Sequence, residues 1–125
     1  DHKDWDLWRR EVWAADASLY VPESRDEPWA GIENIIAWVS ASTADQVSVH
    51  HGHMPIIEIT SETTATGIWA MEDRLFRTKE HPLEGGHTHL HGFGHYREAY
   101  VRTPAGWRIQ STQLTRLRVD LHLSI

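Results

Sequence analysis

The sequence predicts an α+β domain in which a curved antiparallel sheet wraps onto helices near the N-terminus. Three observations carry this. The chain has 125 residues, the size of one domain. Helical periodicity is confined to its first part, and the remainder alternates apolar and polar residues as strands do. Turn-forming residues fall between the alternating runs and join consecutive strands by short reversals.

Taken in order, Asp4 to about Ala15 reads as a helix. Trp5, Trp8 and Val12 recur at helical spacing with Trp13 beside them, and Asp4 is placed to cap it. Ala17 to Val21 is a short apolar strand stopped by Pro22, and Pro22 to Pro28 is charged and turn-like. Gly31 to about Ser42 is a second helix, with Ile32, Ile35, Ile36 and Val39 forming an i, i+3, i+4, i+7 stripe. Gln46 to His51 and Met54 to Ile59 read as extended segments. Ser61 to Thr64 turns the chain into a long strand, Ala65 to Phe76. The segment from Thr78 to Gly86 is a polar loop. Thr88 to Arg102 and Trp107 to about Leu121 form a hairpin about the Thr103–Gly106 turn.

Helices first and a meander after place the helices on one face of the sheet. A strongly curved sheet closed by helices makes a cone with a hollow interior, which is a natural ligand site. No repeat, low-complexity tract or linker interrupts the chain, so residues 1–125 are expected to form a single domain. The chain opens on Asp1, and its first residues read as the interior of a helix. A further N-terminal helical segment is therefore expected before them.

The formal net charge of −6, without a basic run, argues against nucleic acid and against an anionic membrane surface as partners. There are no cysteines, which excludes disulfides, thiolate catalysis and Cys-based zinc sites and suits the cytoplasm. No apolar run approaches the roughly 18 residues of a membrane span. Seven Trp and ten His stand out. Tryptophans suit a pocket or an interface. Histidine titrates near neutrality, so its density directs attention to acid–base and metal chemistry.

Four segments together carry a family resemblance. Asp1-His2-Lys3-Asp4-Trp5-Asp6, Trp29-Ala30-Gly31-Ile32-Glu33-Asn34-Ile35, Val49-His50-His51, and Gly94 to Arg102 followed by Gly106-Trp107-Arg108-Ile109 stand in one order along the chain. They resemble, respectively, the D-x-x-D-W-D helix segment, the G-x-E-x-I helix start, the T-x-H strand and the final hairpin of SnoaL-like proteins. These belong to the NTF2-like superfamily, and the resemblance is to its scytalone dehydratase and bile acid 7α-dehydratase branch. It implies the cone fold and a small-molecule ligand. It also implies a homo-oligomer, dimer or trimer, and chemistry without a cofactor. Fold alone does not fix the reaction.

By the same resemblance, Asp1 and His50 match an Asp–His pair facing each other inside the cavity. A carboxylate so placed orients the imidazole and fixes its tautomer, and the imidazole exchanges a proton with substrate. The competing reading makes Asp1 a helix end and His50 a satisfied core histidine. Tyr20 matches a tyrosine that helps polarise the substrate oxygen. Tyr96, Trp38, Trp69, Met71, Leu75 and His91 are expected to line the pocket. Two departures from the scytalone pattern appear: Leu75 stands where a second catalytic His is found, with Asp73 and Arg74 beside it, and Gly94 replaces a serine-type donor.

The run His87-Thr88-His89-Leu90-His91 is a second constellation. On a strand its three imidazoles would share one face and could bind a divalent metal. A glycine-flanked loop with exposed histidines is the preferred reading, and no metal is expected. His91 or His95 then serves the cavity mouth. Alternation turns His51 away from His50. Arg116, Leu117 and Arg118 read as sheet surface at an oligomer interface.

The expected function is that of a cofactor-independent lyase of the dehydratase type acting on an aromatic or polycyclic substrate. His50 is the base, Asp1 orients it and Tyr20 polarises the substrate. Isomerisation or loss of an aldehyde uses the same proton transfers. A non-catalytic binding domain is the rival class, and a metal enzyme built on the histidine run is a third.

Overall fold

The computed structural model describes residues 1–123. The elements run α1 (Trp5–Glu11), β1 (Trp13–Tyr20), β2 (Trp29–Ala30), α2 (Ile32–Ser42), β3 (Val47–Ile59), β4 (Thr64–Phe76), a 3-10 turn (Glu84–Gly86), β5 (His89–Thr103) and β6 (Gly106–His122).

Asp4 caps α1 as its residue type dictates, its carboxylate accepting from the Leu7 N–H at 3.1 Å. The helix is shorter than its periodicity predicts. Trp13, Ala14 and Ala15 belong to β1 because the Ile109 N–H reaches the Val12 carbonyl at 2.8 Å and draws the chain into the sheet. Residues ahead of Asp4 lie outside any helix or strand. The α2 stripe is as expected: Ile32, Ile35 and Ile36 are buried against β1. Burying one such side chain stabilises by about 1.5–3 kcal/mol. Trp13, Ala17, Leu19, Val21 and Trp29 complete this core, with Trp8 edge-on to Trp13 at 5.3 Å.

The strands form one six-stranded sheet ordered β2-β1-β6-β5-β4-β3. The sheet is mixed. β1 lies parallel to β6, and every other neighbouring pair is antiparallel. The two extended segments expected around residue 52 are one strand, β3, with a register shift between His53 and Ile56. Met54 adopts φ +42° there and Pro55 has no N–H to offer, which are the marks of a bulge. A second irregularity, between Phe93 and Gly94, needs its glycine. A Cβ on Gly94 would lie 2.0 Å from the Thr115 carbonyl oxygen. Among the described residues no helix is long and apolar enough to cross a membrane.

Candidate active site

Strand alternation sorts the chemistry onto two faces of the sheet. His50 on β3 is in register with Asp73 on β4, and Asp73 with Gly92 on β5. These positions, with Trp69, Met71, Leu75 and Tyr96, share one face. Their immediate neighbours His51, Glu72 and His91 share the opposite one.

Asp1 lies in the irregular segment ahead of α1 and embraces His50. Asp1 Oδ1 is 2.8 Å from His50 Nδ1, and the His50 backbone N–H donates to Asp1 Oδ2 at 3.1 Å. Lys3, in a left-handed conformation at φ +60°, fixes this segment by donating to the Gln46 carbonyl. With Asp1 accepting from Nδ1–H, the imidazole presents Nε2 as its free lone pair. Nε2 is 3.8 Å from Asp73 Oδ2, beyond hydrogen-bond length. Burial pushes the His50 imidazole below its ordinary value. Asp73 opposes that shift and Arg116 adds to it. A neutral imidazole held by one carboxylate and open at Nε2 can accept a proton from a bound molecule.

Asp73 is only 1% exposed and is held by a fork of the Arg116 guanidinium, with Nη1–Oδ1 and Nη2–Oδ2 both 2.7 Å. Arg116 Nε also donates to Glu23 at 2.7 Å. The three carboxylates and the guanidinium thus run from α1's approach, across β4 and β6, to the loop after β1. Gly92 makes room for the fork, since a Cβ there would lie 2.0 Å from Arg116 Nη1 and 2.4 Å from Asp73 Oδ1. Arg116 was expected on the sheet surface. Instead its side chain is 11% exposed and turned inward, and it is Leu117 and Arg118 that face solvent.

Beside this cluster, burial raises the Tyr96 phenol well above its ordinary value, with Asp73 adding to the shift. Tyr96 therefore stays protonated and keeps its O–H as a donor. Tyr100 is pushed up to about 12, first by burial. Its hydroxyl accepts from Trp69 Nε1 at 2.8 Å and donates to Glu98 at 2.9 Å, and Glu98 also takes the Thr112 hydroxyl at 2.6 Å.

Of the expected site residues, the structure brings Asp1 and His50 together and places Tyr96, Trp69, Met71 and Leu75 on their face. Tyr20 is in register with Gln113, and Gln113 with Arg97, which puts it on the opposite face from Thr112 and Glu98. His91 is likewise on the far face, where Nε2 is 2.6 Å from Glu72 Oε2. Trp38 stands apart, stacked on Trp29 with ring centroids 3.8 Å apart. Both line an open recess of about 530 Å³ between β2 and α2, with Arg25, Asn34 and Ala37. The histidine run is split. His87 precedes β5 and contacts the Glu84 carbonyl, whereas His89 stacks between Phe76 and His122. Asp73 and Arg116 were missed as site residues, yet the signal for Asp73 was present. It lies two residues from both Met71 and Leu75, so alternation already put a carboxylate on the face that carries His50.

The model of the SnoaL-like domain family matches residues 1–113. Solved structures agree on the fold. The Kfla4162 protein from Kribbella flavida superimposes with a TM-score of 0.85 at 20% identity, covering 96% of this chain and 82% of its own. Hexachlorocyclohexane dehydrochlorinase LinA-type3 from Novosphingobium barchaimii gives 0.77 at 16% identity, covering 100% and 81%. An NTF2-like superfamily protein from Salmonella enterica gives 0.74 at 15% identity, covering 93% and 79%.

Proposed function

The chain belongs to the SnoaL-like domain family, and from that premise we propose that it is a cofactor-independent lyase that removes a proton and a leaving group from adjacent atoms of a small cyclic substrate. The observation that carries the reading is the Asp1–His50 contact at 2.8 Å with Nε2 left free. In the proposed step His50 Nε2 takes a proton from a substrate carbon. The C–H electron pair forms the new double bond, and the leaving group departs with its own pair. Asp1 stabilises the imidazolium that forms. The Tyr96 hydroxyl and the Arg116 guanidinium are the groups of this face that can meet negative charge on the departing group. Tyr20, facing away, has no part in this scheme.

Trp69, Tyr96 and Tyr100 favour an aromatic or polycyclic substrate, with water or a halide as the group lost. The dehydrochlorinase among the structural neighbours supports elimination as the reaction class. Isomerisation by return of the same proton uses the same residues. The absence of cysteine fits action in the cytoplasm. Exposed Met54, Ile56, Ile57 and Ile59 along edge strand β3 support a homodimer or trimer.

The Trp29–Trp38 recess favours a second reading, a binding domain, because two stacked indoles line an open recess of about 530 Å³ there. A screen of hydroxylated aromatic, steroid-like and halogenated cyclic compounds against the native protein and His50→Ala separates the two. The lyase reading expects turnover that falls at least ~100-fold in the variant. Equal turnover by both proteins removes His50 as the base.

A further inference from the structure

The face of the sheet opposite His50 carries a set of side chains that the proposed reaction does not use. His51 and His53 project from β3, Glu72 from β4 and His91 from β5. One ligand-capable atom from each of His51, His53 and Glu72 lies within 4.8 Å of the others. His53 Nε2 is 3.6 Å from Glu72 Oε1, and His91 Nε2 is 2.6 Å from Glu72 Oε2. Zinc bonded at about 2.0–2.1 Å in a tetrahedron sets its ligand atoms roughly 3.3–3.4 Å apart. The His53–Glu72 distance is close to that value, and all three ligand atoms of His51, His53 and Glu72 lie within 4.8 Å of one another.

We propose that His51, His53 and Glu72 form a three-ligand site for a divalent transition-metal ion of the zinc class, with His91 hydrogen-bonded to the second oxygen of Glu72 and the fourth position left for water. Two imidazoles and one carboxylate are a borderline-soft set, suited to zinc and poorly suited to calcium or magnesium. Arg74 and Arg118 are cations of this face, in register with His91 and Phe93. Arg118 is paired with Asp120, and the Glu72 charge offsets the cost that Arg74 sets. None of the three ligands comes from the His87-His89-His91 run. They come from β3 and β4, a grouping that requires register to be known.

The bound ion joins two strands. β3 is the sheet edge, held along one side only, and the metal ties it to β4. His51 adjoins His50, and Glu72 adjoins Asp73, so the ion fixes the backbone beside the proposed base and beside the Asp73 carboxylate without touching either.

The test uses the full chain stripped of metal with a chelator. Zn2+ is titrated by calorimetry, with Co2+ absorption as the spectroscopic readout and thermal unfolding followed with and without Zn2+. One equivalent should bind, and Zn2+ at a hundredfold excess over Kd should raise Tm by roughly 10 °C. Glu72→Gln and His53→Ala should each weaken binding by more than ~10-fold and abolish the Tm rise. His81→Ala, in the loop after β4, should bind as the native chain does. Zn2+ affinity weaker than about 1 mM, or affinity unchanged in both ligand variants, overturns the proposal.

Discussion

Replacing Arg116 by Met removes the cation from a carboxylate that is 1% exposed. The Arg116 fork supplies two charge-assisted hydrogen bonds of 2.7 Å each to Asp73. At about 1.5–3 kcal/mol apiece their gross loss is ~3–6 kcal/mol. Breaking one side of a buried ion pair independently costs about 3–5 kcal/mol, so ~4 kcal/mol is the expected destabilisation. Against a typical total of about 5–15 kcal/mol this is a large fraction, and the variant should still fold. Urea unfolding followed by tryptophan fluorescence reads it directly, as a fall in midpoint at unchanged slope. The control is Arg116→Met combined with Asp73→Leu, which removes both charges and should recover most of the loss. A destabilisation below ~1 kcal/mol for Arg116→Met, or a double variant no better than the single, would refute the claim that Asp73 is buried and dependent on Arg116.

Three further outcomes follow from particular contacts. Gly92→Ala drives a methyl group into both members of the fork and should destabilise in urea. Combined with Arg116→Met it should cost less than the sum of the two, because both act on one contact. Ile35→Ala, at a fully buried position of α2, should cost about 2–5 kcal/mol by the same assay, and a loss under ~1 kcal/mol would mean the helix is not packed as described. Tyr100, with its pKa at about 12 in the fold against about 10 unfolded, gives up its proton late. Its contribution to stability is complete below pH 10 and is lost as pH rises from 10 to 12. Absorbance at 295 nm should therefore show a tyrosinate step near pH 12 that Tyr100→Phe removes.

How far the sequence foretold this structure depends on which interactions were local. The α2 stripe and the β4, β5 and β6 strands follow from periodicity within single segments, and their positions agree closely with the structure. Trp13 satisfies both the helical and the alternating pattern, so the end of α1 was settled by a distant contact with Ile109 and not by local preference. The parallel pairing of β1 with β6 leaves no trace in either strand alone. At the site, the partnership of Asp1 with His50 was legible through family resemblance, and burial of Asp73 through alternation. Arg116 was not. An arginine among exposed neighbours reads as surface, and its inward turn depends on Gly92 leaving space on the preceding strand. Tyr20 and His91 were assigned by position along the chain, and strand register decided their facing otherwise.

The parallel seam between β1 and β6 has a consequence for how the chain is made. Among the described residues, the strands of the N-terminal third join the rest of the sheet by pairing with β6, which is made after β3, β4 and β5. While synthesis proceeds, β3, β4 and β5 can pair as hairpins emerge, but the nascent tryptophan-rich N-terminal portion waits without its lateral partner. Contacts of such long sequence separation are the slow ones. The waiting apolar surface is what chaperones recognise, so the vulnerable interval in this protein's life lasts until β6 has emerged.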